Sequence, residues 1–87
     1  MAYHIEIKKS AVKELTALPR RDQHRLITAI ESLADSPRPD GVGKLTGADN
    51  LYRLRVSDYR VVYQIWDRKL VVLIIRVGQR KDIYRKF

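Results

Sequence analysis

Cysteine is absent from the 87 residues. That absence excludes a disulfide scaffold, a thiolate metal site and a cysteine nucleophile together. Histidine is scarce, with two residues in the chain. His4 lies on the polar side of a first strand, and His24 on an exposed helical stretch among Arg21, Asp22 and Arg25. Neither has a triad partner or metal-ligand spacing. Asp and Glu are scattered mostly over helices and turns, so neither a metal nor a cofactor is expected. No apolar run approaches the ~20 residues that span a bilayer. The stretch Met1–Glu6 has no apolar core of the signal-peptide kind, so a cytoplasmic location is the expectation. Glycine is also rare, at four residues. Gly43-Lys44 fails as a phosphate-binding P-loop, because Arg38 stands five positions before Gly43 and Leu45 follows the lysine. No small-molecule ligand is expected.

Acidic residues are outnumbered. Eighteen Lys and Arg against ten Asp and Glu leave a net charge of +8. Residues 1–50 hold eight basic and seven acidic side chains, a net of +1; residues 51–87 hold ten and three, a net of +7. Such asymmetry points to a polyanionic partner bound by the C-terminal half. Apolar residues make up 45% of the chain, which suits one folded domain over residues 1–87.

Tyr3–Lys8 alternates apolar and polar residues and reads as a strand. Ser10 suits the cap of a short helix to about Leu18, with Ala11, Val12, Leu15 and Leu18 as its buried stripe. Pro19 interrupts it and suits the first turn of a second helix. There Leu26, Ile27, Ile30, Leu33 and Ala34 recur at helical spacing up to about Asp35. Residues 36–50 read as a long loop. Three strands follow, Leu51–Val56, Tyr59–Trp66 and Leu70–Val77, joined by turns at Ser57-Asp58 and 67–69. Gly78 ends the last, and a basic tail follows. Leu70–Ile75 is apolar throughout, so a central strand covered on both faces is expected. The order β-α-α-β-β-β predicts an α+β domain: a four-stranded, largely antiparallel sheet, spatial order 1-4-3-2, with an N-terminal α-hairpin on one face.

The tight turn sharpens this reading. With Ser57 and Asp58 as its two residues, Arg55 faces Arg60, Leu54 faces Val61, Arg53 faces Val62 and Tyr52 faces Tyr63. Faces alternate along a strand. Tyr52, Leu54, Val56, Val61, Tyr63 and Ile65 therefore share the face under the helices, and Arg53, Arg55 and Arg60 share the other. Arg55 and Arg60 are direct cross-strand neighbours, with β-carbons about 5 Å apart, an arrangement that is destabilising for like charges. No acidic residue on these strands shares their face. A site for an anion with several oxygens, such as an RNA phosphate, accounts for the cluster. Arg80 and Tyr84 add a cation and a ring able to stack on a base or move a proton. Lys44, Arg76 and Lys81 complete the RNA-binding candidates; a three-residue turn at 67–69 puts Arg76 on the Arg60 face.

The block Leu51-Tyr52-Arg53-Leu54-Arg55-Val56-Ser57-Asp58-Tyr59-Arg60-Val61-Val62-Tyr63, followed by Val77-Gly78-Gln79-Arg80 and Ile83-Tyr84, resembles RelE-type toxins of the RelE/ParE superfamily. The resemblance covers nearly the whole chain. It implies a RelE-like fold and a toxin that cleaves messenger RNA in the ribosomal A site, neutralised by a wrapping RelB-like antitoxin. It implies Arg53 and Arg55 as the family's basic pair, Arg60 and Arg80 as its arginines and Tyr84 as its C-terminal tyrosine, all catalytic candidates. The best-known members carry lysines at the first two positions. Arginine stays protonated, so Arg53 and Arg55 are expected to position RNA and stabilise charge, and the general base is unassigned. The resemblance is shared by a second activity, ParE-type inhibition of DNA gyrase. A non-catalytic RNA-binding module is a third reading. The basic and partly apolar C-terminal half suits an acidic antitoxin with an amphipathic helix.

Overall fold

A computed structural model describes residues 2–45 and 50–79. The chain runs β1 (His4–Ile7), α1 (Lys9–Thr16), α2 (Arg20–Ser32), β2 (Gly43–Lys44), β3 (Leu51–Val56), β4 (Tyr59–Trp66) and β5 (Val71–Gln79). The strands form one mixed sheet in the order β1-β5-β4-β3-β2. β1 is parallel to β5 and every other neighbouring pair is antiparallel. The α+β class, the helical hairpin and the order of the four expected strands are as predicted. The sheet has five strands rather than four, because Gly43 and Lys44 pair with Arg53 and Tyr52 inside the expected loop.

Local details depart from expectation for identifiable reasons. Ser10 lies inside the first turn of α1, and Lys8 holds the N-cap position without a side-chain bond. α1 stops at Thr16, and Gln23 of α2 donates through its side-chain amide to the Leu18 carbonyl, 2.8 Å away. This satisfies a carbonyl left over at the helix end. α2 stops at Ser32 rather than Asp35. Ala11, Leu15, Leu26, Ile30 and Leu33 are buried, but Val12 and Ile27, expected in the core, are 41% and 38% exposed. Both sit at the flank of an apolar stripe wider than the surface it covers.

The β3–β4 register is as read from the turn: Val56 pairs with Tyr59, Arg55 with Arg60, Leu54 with Val61, Arg53 with Val62 and Tyr52 with Tyr63. The next turn is longer than expected. Trp66 pairs with Val71, so Leu70 belongs to the turn, at φ 54. A bulge between Val62 and Tyr63 shifts the pairing once more. The two shifts add to two residues and preserve facing parity. Arg76 therefore keeps the expected face but lies opposite Val62, and Gly78 lies opposite Arg60. β5 continues through Gly78 to Gln79 rather than breaking there.

One sheet face carries Tyr59, Val61, Tyr63 and Ile65 of β4 and Val72, Ile74 and Val77 of β5, packed with the buried helix residues into a single core. Only that face meets the helices, so β5 is not sandwiched as expected; Val71, Leu73 and Ile75 remain half-buried. Polar bonds fix the edges of the core. The Tyr59 hydroxyl donates to Asp22 at 2.8 Å, pinning the hairpin tip to the first turn of α2. The buried Tyr63 donates to the Pro37 carbonyl at 2.8 Å. Beyond it, Arg38 makes two hydrogen bonds to Asp67, at 2.8 and 3.2 Å, and Tyr3 donates to the same carboxylate at 2.7 Å. Among the described residues, no helix is long and apolar enough to cross a membrane.

Candidate functional site

The face away from the helices carries the arginines in two adjacent rows. One row runs Arg55, Arg60, Gly78 across β3, β4 and β5. The other runs Gly43, Arg53, Val62, Arg76 across β2 to β5. Cross-strand neighbours in each row stand about 5 Å apart. The hairpin turn therefore brings Arg53, Arg55 and Arg60 together as expected, and the longer turn and the bulge together keep Arg76 on their face.

Arg60 departs from the picture of an exposed arginine surface. It is 8% exposed, and Val62 beside it on the same face is fully buried. Among the described residues its guanidinium makes one long hydrogen bond, 3.4 Å, to the carbonyl of Tyr59. Among the described residues no carboxylate pairs with Arg60, Arg53 or Arg55. A charge taken out of water without a counter-charge is costly, and an incoming anion relieves that cost. On either side of Arg60 stand another cation, Arg55, and Gly78, which brings no side chain. The site is thus basic on one flank and bordered on the other by a residue without a side chain.

The remaining candidates divide. Arg53 and Arg55 are exposed on β3. Arg76 is held by Glu14 of α1, with 2.7 Å between Nη2 and Oε2. The other oxygen of Glu14 accepts the backbone N–H of Val77 at 3.0 Å. The Arg76 guanidinium is accordingly tied to α1 at the β5 edge, with less freedom to follow a ligand than Arg53 or Arg55. Lys44 lies on the edge strand, opposite Tyr52 and therefore on the other face from Arg53; the structure does not bring it into the arginine rows. Arg80, Lys81 and Tyr84 lie outside the described residues.

Sequence reasoning missed two contributors. Gly43, considered only as part of a failed P-loop, lies under the Arg53 side chain. Glu14 reads as an ordinary helix acid, since its partner is 62 residues away. Neither leaves a local pattern to detect.

The site holds no evident tunable base among its described residues. The nearby Tyr59 points into the opposite face, and its hydrogen bond to Asp22 raises its hydroxyl pKa above the ordinary value. No group of three or more His, Asp or Glu among the described residues is arranged to hold a metal ion. What the geometry can do is bind a multiply charged oxyanion and stabilise extra negative charge on it.

Comparison with known proteins gives the same direction. A family profile described as "ParE toxin of type II toxin-antitoxin system, parDE" matches residues 5–84. The mRNA interferase toxin RelE of Escherichia coli K12 is 37% identical over 83 residues, covering 93% of this chain and 86% of its own. A chain of the archaeal RelE–RelB complex from Pyrococcus horikoshii superposes with a TM-score of 0.82 at 33% identity, over 94% of this chain and 99% of its own. A chain of the intact E. coli RelBE toxin–antitoxin complex superposes with a TM-score of 0.79 at 32% identity, covering 90% and 96%.

Proposed function

The chain belongs to the ParE/RelE toxin family of type II toxin–antitoxin systems, and from that premise we propose that it is a metal-independent endoribonuclease acting in the cytoplasm on messenger RNA in the ribosomal A site. The observation that carries this reading is Arg60: a nearly buried cation on a basic sheet face, without a carboxylate among the described residues. The E. coli relative, named an mRNA interferase toxin, supports the reaction class.

In the proposed reaction the 2′-OH of the messenger attacks the adjacent phosphorus. The P–O5′ bond breaks, leaving a 2′,3′-cyclic phosphate and a 5′-OH. One proton leaves the 2′-oxygen and one reaches the departing 5′-oxygen. Arg60 stabilises the extra negative charge on the phosphoryl oxygens, a contribution of roughly 3 kcal/mol for a well-placed donor. Arg53 and Arg55 hold and orient the strand, and Arg76 lines the site beside Val62. Arg80 joins Arg60 in charge stabilisation, Arg80 or Tyr84 assists the leaving oxygen, and Lys81 contributes to RNA binding. Arginines stay protonated near neutral pH, so alignment of the 2′-OH is left to the ribosome that presents the messenger.

In this reading a RelB-type antitoxin binds and covers the toxin, a pairing that the archaeal RelE–RelB and E. coli RelBE complexes support. The test is mapping of messenger 5′ ends in a translating extract. New ends carrying 5′-OH, appearing with wild-type toxin and absent with Arg60→Ala, are expected. Growth arrest with intact messenger and broken DNA overturns the proposal in favour of gyrase inhibition.

A further inference from the structure

Gly43 sits on the edge strand β2, paired with Arg53. A β-carbon built at Gly43 comes 2.9 Å from Arg53 Nε and 3.4 Å from both Cζ and Nη2. The Arg53 guanidinium therefore lies across the backbone of β2, in space that any other residue at position 43 would fill. The backbone of Gly43 is not in the left-handed region that favours glycine: among the described glycines only Gly41 has a positive φ, +86. Turn geometry thus does not account for glycine at 43, whereas the close approach of a side chain does.

The consequence is one of reach. Two strand spacings separate β2 from β4, roughly 10 Å. With its head over β2, Arg53 is drawn away from Arg60, and the cationic site widens across the sheet. We propose that Gly43 is a positioning residue: by leaving room for the Arg53 guanidinium over β2, it directs Arg53 to a phosphate of the messenger next to the one engaged by Arg60. This rests on the RNA-cleaving reading above. Arg53 is exposed and flexible, and an exposed arginine has much rotamer freedom to lose. A methyl group at position 43 is therefore absorbed by rotation of Arg53, at little expense to the fold and at direct expense to where the guanidinium points.

The test compares wild type, Gly43→Ala, Arg53→Ala and the double variant on ribosomes programmed with a defined messenger, alongside thermal melting and the NMR signal of the Arg53 Nε–H. Gly43→Ala is expected to melt within about 2 °C of wild type, to shift the Arg53 Nε–H signal and to raise KM about tenfold with a smaller change in kcat. In the Arg53→Ala background the same substitution is expected to change nothing further. An unmoved Nε–H signal, or an equal loss from Gly43→Ala with and without Arg53, overturns the positioning role. Arg53→Ala cleaving as wild type instead overturns the assignment of Arg53 to the messenger, and the positioning role with it.

Discussion

At the scale of single residues, the energetics turn on Arg60. Strand alternation assigns Arg60 to the non-helical face, and the tight turn places it opposite Arg55; both were legible in the sequence. Its burial was not, because alternation says which face a side chain takes and not what covers that face. A buried cation with one 3.4 Å hydrogen bond and no described carboxylate partner contributes little to stability. Arg60→Met keeps most of the stem volume and removes the charge. It is expected to melt at or above the wild-type temperature while cleavage falls by about a hundredfold or more. Calorimetry and a cleavage assay on the same preparation check this. A large loss of stability would make Arg60 structural. Ser57 gives a second case. It occupies the left-handed region at φ 58 in the β3–β4 turn, where glycine carries no steric penalty. Ser57→Gly is expected to stabilise the protein by roughly 0.5 kcal/mol, allowing for the larger unfolded-state entropy of glycine. Denaturant titration reads that change, and a loss of stability contradicts it.

At the scale of elements, the strands legible in the sequence were those with a repeating pattern. β3 alternates from Arg53 to Val56 and is joined to β4 by a two-residue turn, so their register could be written down residue by residue. β2 has two residues, Gly43 and Lys44, too few to show a period of two. The β4–β5 turn was misjudged because Leu70 is apolar and reads as the first strand residue, although its φ of 54 places it in the turn. Long-range polar contacts leave no trace in local pattern either. Glu14 satisfies the Val77 N–H after β1 pairing has ended at Ile74, completing the edge of β5 with a helix side chain. Asp67 likewise ties the β4–β5 turn to the 36–42 segment and to the start of β1. Its hydrogen bonds from Arg38 first, and from Tyr3, hold its carboxyl below the ordinary carboxylate range. A depressed folded-state value means a stabilising contribution that is complete above the unfolded value near 4 and is lost as pH falls through the folded value. Wild type is therefore expected to melt above Asp67→Asn at neutral pH, with the gap closing below about pH 4. Melting curves across that range check it, and a gap unchanged down to pH 2 contradicts it.

At the scale of the whole molecule, the division of charge is the most legible feature of all. The half carrying +7 contains β3, β4 and β5, and these strands build the arginine rows. A separate part of the same sheet face, around Trp66, Val71 and Leu73, is apolar and partly exposed. A basic surface bordered by an apolar one suits an acidic partner with an amphipathic segment. Purification from the native host is accordingly expected to recover the toxin with a small acidic chain, in a complex that high salt alone does not fully separate. Toxin recovered alone at normal abundance contradicts this. The sequence could supply the charge and the face it occupies, but not the partner's own sequence or the order of its contacts, since those depend on a second chain.

The most direct measurement is the cleavage rate of one messenger, naked and ribosome-bound, at equal toxin concentration and fixed salt, with Arg60→Met run alongside. An arginine site with no evident tunable base among its described residues needs an external scaffold to align the 2′-OH for in-line attack. The expected result is cleavage that is fast on the ribosome, slow on naked RNA, and lost on the ribosome in Arg60→Met. Equal rates on naked and ribosome-bound messenger, or full activity in Arg60→Met, would contradict it.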